Sequence, residues 1–305
     1  MRKIRFLLAL AVLWGPATGY GAVDLPADAK WYVHVDLEAM RESAAGRQVY
    51  AWFKAEALDE VRDEIGIDLD QEADRVTAFA VGANAVTVIV EGNISQASRD
   101  KLLALGAASG TMDRLETGGD TYYHVKAGDT DEAPVASAYA DHDFEPFSEG
   151  AYFSFAGQDR LIVTATEAGM QALLAAGGRV RPAAGGEMLV LSADQSLLQA
   201  GLEPAAFGDE IGWDSNVVRN TKQVALAMAD RDGMLAFTAR LVASEASMAE
   251  SLASIVRGLI SLQVFNADMD PELSKVLQNT TVAVSDAALT VSVLLDPALV
   301  VEALE

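Results

Sequence analysis

The chain has no cysteine and only three histidines in its 305 residues. Without cysteine there is no disulfide, no thiol nucleophile and no thiolate metal site, so the fold must rest on its apolar core. Hydrophobic residues at 51% can supply one. Basic residues are also scarce: 22 Lys and Arg stand against 45 Asp and Glu, a formal net charge of −23. Nucleic acid and anionic headgroups are held chiefly through Lys and Arg, so neither is an expected partner. The acids are scattered rather than blocked, which reads as a solvating surface. H-E-x-x-H, G-x-S-x-G, G-x-G-x-x-G and G-x-x-x-x-G-K-[ST] are all missing. The chemistries that those motifs support are not expected here.

Long apolar runs are lacking too. Phe6 to Trp14 is the core of a short leader, and spanning a bilayer takes about 20 apolar residues. Arg2, Lys3 and Arg5 precede it, Gly15-Pro16 breaks it, and Ala17, Gly19, Gly21 and Ala22 offer small residues for cleavage. Residues 1–21 therefore read as a signal peptide, with a mature, periplasmic or secreted protein starting near Ala22. No cysteine follows the apolar stretch, so neither lipid attachment nor another membrane anchor is expected. The leader holds three of the basic residues and none of the acids, leaving 19 against 45, a net −26.

What the chain does have is a repeated pattern of strand, tight turn, strand and helix. It runs from Val76 to Leu105, from Ala151 to Ala176, from Gln223 to Val256 and from Thr281 to the C-terminus. The turns fall at Gly82-Ala83-Asn84, Gly157-Gln158-Asp159, Asp230 to Gly233, and near Asp286. Ser95 is placed to cap the first helix. In two copies the strand-to-helix corners nearly match, "ATEAGM" at 165–170 and "ASEASM" at 243–248, with Thr166 and Ser244 as N-cap candidates. A strand entering a helix opens each half: Trp31 to Phe53, and Glu187 to Leu202.

The expected fold is α+β, with antiparallel hairpins each followed by a helix and the helices packed on one sheet face. The repeat implies an internal duplication of a strand–helix half carrying two hairpin–helix units. The halves span 24–177 and 187–305, joined by a Gly/Pro linker at 178–186. A long acidic loop at 126–150 and a helix opened by Asp270-Pro271 break the symmetry.

Candidate sites are few. In β periodicity Tyr32, His34 and Asp36 share a face opposite Trp31, Val33 and Val35. If the tryptophan face meets the helices, His34 and Asp36 look the other way, as a structural pair or a pH-dependent contact. Tyr32, with Tyr122 and Tyr123, would form an exposed aromatic strip suited to a protein partner. Ser98-Arg99-Asp100-Lys101 has S-x-x-K spacing, which puts a lysine one turn from a serine, but no S-D-N element accompanies it. Asp68, Asp70, Glu72 and Asp74 alternate as hard oxygen ligands do, yet Ala73 stands where an EF-hand loop needs glycine and Phe79 where it needs glutamate. Asp141-His142-Asp143 reads as a surface turn. No catalytic residue, metal ligand or cofactor is expected, although a Ser–His–Asp triad assembled from distant segments stays open.

Pro26, Asp28, Ala29, Val33, Val35, Asp36, Leu37, Arg41 and Ser43 resemble the opening stretch of a loose group of uncharacterised exported bacterial proteins. The resemblance implies an envelope or secreted protein and carries no catalytic residue with it. Three functions compete: a non-catalytic envelope binding or scaffolding protein, a periplasmic carrier of an apolar ligand, and an unrecognised hydrolase.

Overall fold

The computed structural model describes residues 29–82, 85–108, 111–126, 147, 150–157, 159–177, 186–197, 219–264 and 271–304. The leader, Asp141-His142-Asp143, most of the acidic loop and the linker at 178–185 lie outside them. The fold is α+β and its strands pair antiparallel. The chain divides into two compact units. One takes its described residues from Pro26–Leu37 and Lys54–Pro182, the other from Glu38–Phe53 and Ala183–Glu305.

In the first unit β1 is Trp31–Asp36, β2 Arg75–Ala80, β3 Val86–Glu91, β4 Met112–Thr117, β5 Asp120–Lys126, β6 Gly150–Phe155 and β7 Arg160–Thr164. They lie in the order β1-β2-β3-β7-β6-β5-β4. In the second unit β8 is Leu189–Asp194, β9 Thr221–Arg231, β10 Met234–Ala243, β11 Thr281–Ser285 and β12 Ala288–Leu295. Their order is β8-β9-β10-β12-β11, which repeats the first five positions of the other unit. Each run is a lone strand, a hairpin, and a second hairpin joined through its later strand. The pair β4 and β5 is extra.

Helices α1 to α9, in chain order, are Leu37–Glu42, Gly46–Phe53, Asp59–Ile65, Leu69–Glu72, Gln96–Ala108, Glu167–Ala175, Ala246–Val264, Pro271–Gln278 and Pro297–Leu304. A π-helical turn at Lys54–Leu58 joins α2 to α3. The hairpins β2–β3, β7 with β6, β9–β10 and β11–β12 each lead into one of α5, α6, α7 and α9.

Turn chemistry accounts for the closures. Asp232 and Gly233 have φ of 56° and 80°, the left-handed pair that a two-residue hairpin turn demands, and Arg231 pairs with Met234 across it. Asp230 accepts hydrogen bonds from the backbone N–H of Gly233 (2.9 Å) and of Ala45 (3.1 Å). Those donors hold its carboxyl below the usual range.

Two expectations fail. The helices do not gather on one sheet face. A methyl on Gly106 of α5 would stand 2.6 Å from Met112 Sδ and 3.6 Å from Val125 Cγ2, so α5 lies over the face that bears Val125. On α6, Gly169 approaches Thr164 and Glu167 takes the Tyr122 hydroxyl, so α6 lies over the opposite face. Val125 and Tyr122 are three residues apart on one strand and must point to opposite sides. With apolar residues on both faces, both need cover.

Residues 38–53, grouped with the first half by sequence, belong to the unit that holds 183–305. Ser43 Oγ lies 3.4 Å from Met188 Sδ, Ala45 is tied to Asp230, and α2 packs on α9. The matching corners also differ. Thr166 caps α6 by accepting from Gly169 N–H at 3.2 Å, whereas Ser244 donates to Asn220 Oδ1.

Candidate functional site

Strand register in the first unit places Tyr32, His34, Asp36, Tyr122 and Tyr123 on known faces. Val33, Ala78, Val88, Val163, Phe153 and Tyr123 stand opposite one another across six strands. Each is half-buried. On the other face His34, Thr77, Ile89, Ile162 and Ser154 form the next row, and each is buried. The arrangement reverses the expected polarity. The row with the histidine and the hydroxyls is the inner one, and the valine and aromatic row is the more accessible.

Burial of polar groups is tolerable when each finds a partner. His34 Nδ1 is 2.9 Å from Thr77 Oγ1, its direct cross-strand neighbour. Ser154 Oγ donates to the Thr121 carbonyl at 2.7 Å. Burial pushes the His34 pKa below its ordinary value, against a weaker upward pull from Asp36. The imidazole is therefore held neutral, as a hydrogen-bonding member of the sheet.

Asp36 belongs to a row of alternating charge. It pairs with Arg75, Arg75 with Glu91, and Glu91 with Arg160, across β1, β2, β3 and β7. Arg75 Nε is 3.2 Å from Asp36 Oδ2, and Arg160 Nε is 3.7 Å from Glu91 Oε1. Cross-strand pairs of opposite charge contribute roughly 0.2–1 kcal/mol each, and a one-residue slip would set them on opposite faces. Arg160 also donates to Asp159 and to the Gly177 carbonyl at the end of α6. Sequence reading missed Arg75, Glu91 and Arg160. The signal was there: acid and base alternate at the ends of consecutive strands that hairpins bring to one side.

The exposed tyrosine strip is overturned. Tyr32 is 0% exposed and Tyr122 is 2% exposed. Tyr32 stacks with His34, ring centroids 6.3 Å apart. The Tyr122 hydroxyl donates to Glu167 Oε1 at 2.7 Å and accepts from Gln171 Nε2 at 3.1 Å. Long aromatic rings with a polar tip suit a buried position whose rim carries a partner. Tyr123 sits on the opposite face, half-buried, stacked on Phe153 at 5.0 Å.

Ser98 and Lys101 part company. Ser98 is buried and its hydroxyl donates to Glu72 Oε1 at 2.7 Å, while Lys101 Nζ donates to the Gly66 carbonyl. Glu72 also accepts the backbone N–H of Ser95, so this carboxylate serves the N-terminus of α5. Asp70 pairs with Lys54 at 2.7 Å. Among the described residues no three His, Asp or Glu side chains are grouped to hold a metal. No described helix is long and apolar enough to cross a membrane. A recess of about 190 Å³ lies between Asp120, Ala156, Gly157, Arg160, Leu174 and Gly177.

The chain matches no family model and no curated relative. Among solved structures it is similar to TP0453 in three crystal forms. Form I has 10% identity over 93% of this chain and 98% of that one, with a TM-score of 0.43. Form IV has 12% identity over 92% and 97%, with a TM-score of 0.44. Form III has 11% identity over 92% and 98%, with a TM-score of 0.46. The overlap is loose, and no functional residue is carried across.

Proposed function

We propose that the protein is exported to the cell envelope and works there, in the periplasm or outside the cell, as a non-catalytic binding or scaffolding protein. A protein partner is held on the row Val33, Val88, Val163, Phe153 and Tyr123, on the same sheet face as α5, where each of these side chains is left half-buried. One observation carries this reading: the apolar row is half-buried throughout while the row with the hydroxyls and the histidine is buried throughout. Interface residues of this kind, with an aromatic anchor, supply binding energy once water is displaced. The serine and histidine singled out by the sequence are engaged inside the fold, Ser98 by Glu72 and His34 by Thr77. The shared order of the two five-strand runs supports descent from one duplicated half.

Native mass spectrometry of gently purified protein tests the proposal. The expected species begins near Ala22 and carries a protein partner that Val88→Thr with Val163→Thr removes. An intact Met1 in a membrane fraction overturns the export reading. Co-purified lipid in place of protein transfers the same face to an apolar-ligand carrier. The recess of about 190 Å³ beside Arg160 is itself below the roughly 300–1,000 Å³ usual for enclosed ligands.

A further inference from the structure

The α7 helix in the second unit buries one side and leaves another apolar. Leu252 and Ala253 pack on Leu289 and Val291, with Met248 and Val256 against the same cluster, and Ala249 is buried as well. Ile255, Leu259 and Leu262 are 56%, 43% and 71% exposed. Their spacing of four and then three residues puts them in one ridge. Gly258 lies in the same ridge, and a methyl there would meet nothing within 4 Å. The helix's charged residues, Glu250 and Arg257, lie on the opposite flank at 100° per residue.

We infer that this ridge is the contact between two copies of the chain. The ridge is complementary to itself. Two antiparallel α7 helices related by a two-fold axis between residues 258 and 259 set Ile255 against Leu262 of the second copy. Leu259 of each then enters the gap left by Gly258 of the other. Close approach at a glycine with large apolar residues on either side is ridge-into-groove packing at short range, and a two-fold interface uses the same patch twice. Charge points the same way. On a chain of net −23 most pairings of surface bring acids together, and this ridge brings none. A basic partner would find no acid in it to pair with.

The size sets the strength. With the axis between 258 and 259 the two helices overlap over residues 253–264, about 18 Å, and bury on the order of 600 Å². That is the size of a weak, transient contact, so the dimer forms only at high concentration. The inference rests on α7 alone and stands or falls apart from the partner face of the first unit.

Sedimentation of the full chain from about 10 µM to about 1 mM tests it. A shift from monomer to dimer is expected, abolished by Leu259→Glu with Leu262→Glu at unchanged circular dichroism. Because the chain has no cysteine, Leu259→Cys gives a single reporter thiol. A short bis-maleimide should join two copies of that variant and spare Glu250→Cys. A wild-type monomer at the highest concentration overturns the inference, as does equal joining of the two cysteine variants. A monomer that floats with neutral phosphatidylcholine vesicles also overturns it, in favour of a lipid surface.

Discussion

The two units share a strand order and fill their interiors differently. In the first, short strands of five to seven residues enclose a buried histidine, threonines and an arginine, tied together across the strands. In the second, β9 and β10 run for 11 and 10 residues, and the interior is mostly alanine, valine, leucine and methionine, with Glu187, Ser192, Thr221 and Ser292 also buried. Its buried Ser192 donates to a backbone carbonyl, Val224, at 2.9 Å, as Ser154 does in the first unit. A strand order thus specifies which residues face each other but not the chemistry between them. Where the first unit relies on paired polar groups and close backbone approach, the second relies on apolar volume.

Substitutions should expose that difference. Gly92, at φ 154°, has no room for a side chain: a methyl would stand 2.1 Å from the Glu72 carbonyl oxygen. Gly92→Ala should cost about 4 kcal/mol in denaturant unfolding, since both backbone conformation and packing resist it. In the second unit the comparable damage is a void. Leu252→Ala removes a buried side chain from the α7 cluster and should cost about 3 kcal/mol in the same measurement.

The near-identical corners give a smaller and sharper contrast. Thr166→Ala removes a helix cap and should cost about 1 kcal/mol, whereas Ser244→Ala should cost less because that hydroxyl bonds to Asn220. Equal losses would mean that the two corners work alike. The smallest effect concerns pH. The folded-state pKa of His34 lies below its unfolded value, so the unfolded chain binds the proton more readily. Stability is complete above the unfolded pKa of about 6.5 and is lost as pH falls from there toward the folded pKa. Thermal scans should show that acid-side decline, and His34→Gln should flatten it.

Much of this architecture was legible beforehand because hairpins and caps are local. The paired runs β2–β3 and β9–β10, the Asp232-Gly233 turn, the Thr166 cap and the start of α8 at Pro271 all follow from residues within a few positions of one another. The faces were misjudged for a physical reason. Alternation in Trp31 to Asp36 separates two sets of side chains but does not say which set is inside, and apolar character pointed to the wrong one. What buries His34 is Thr77, and what holds Asp36 is Arg75, both supplied by a strand about forty residues on. Ser98 was similarly opaque, since its partner Glu72 comes from the acidic stretch that alone looked like solvated loop.

The placement of α2 bears on how the chain comes into being. Its helix is synthesised early, while its partners are Met188, the Asp230 turn and the C-terminal α9. The second unit therefore cannot close until α9 has been made, and α2 must wait while about 240 residues are added with its apolar side uncovered. Long-range closure of this kind is slow and leaves the nascent chain open to misassociation.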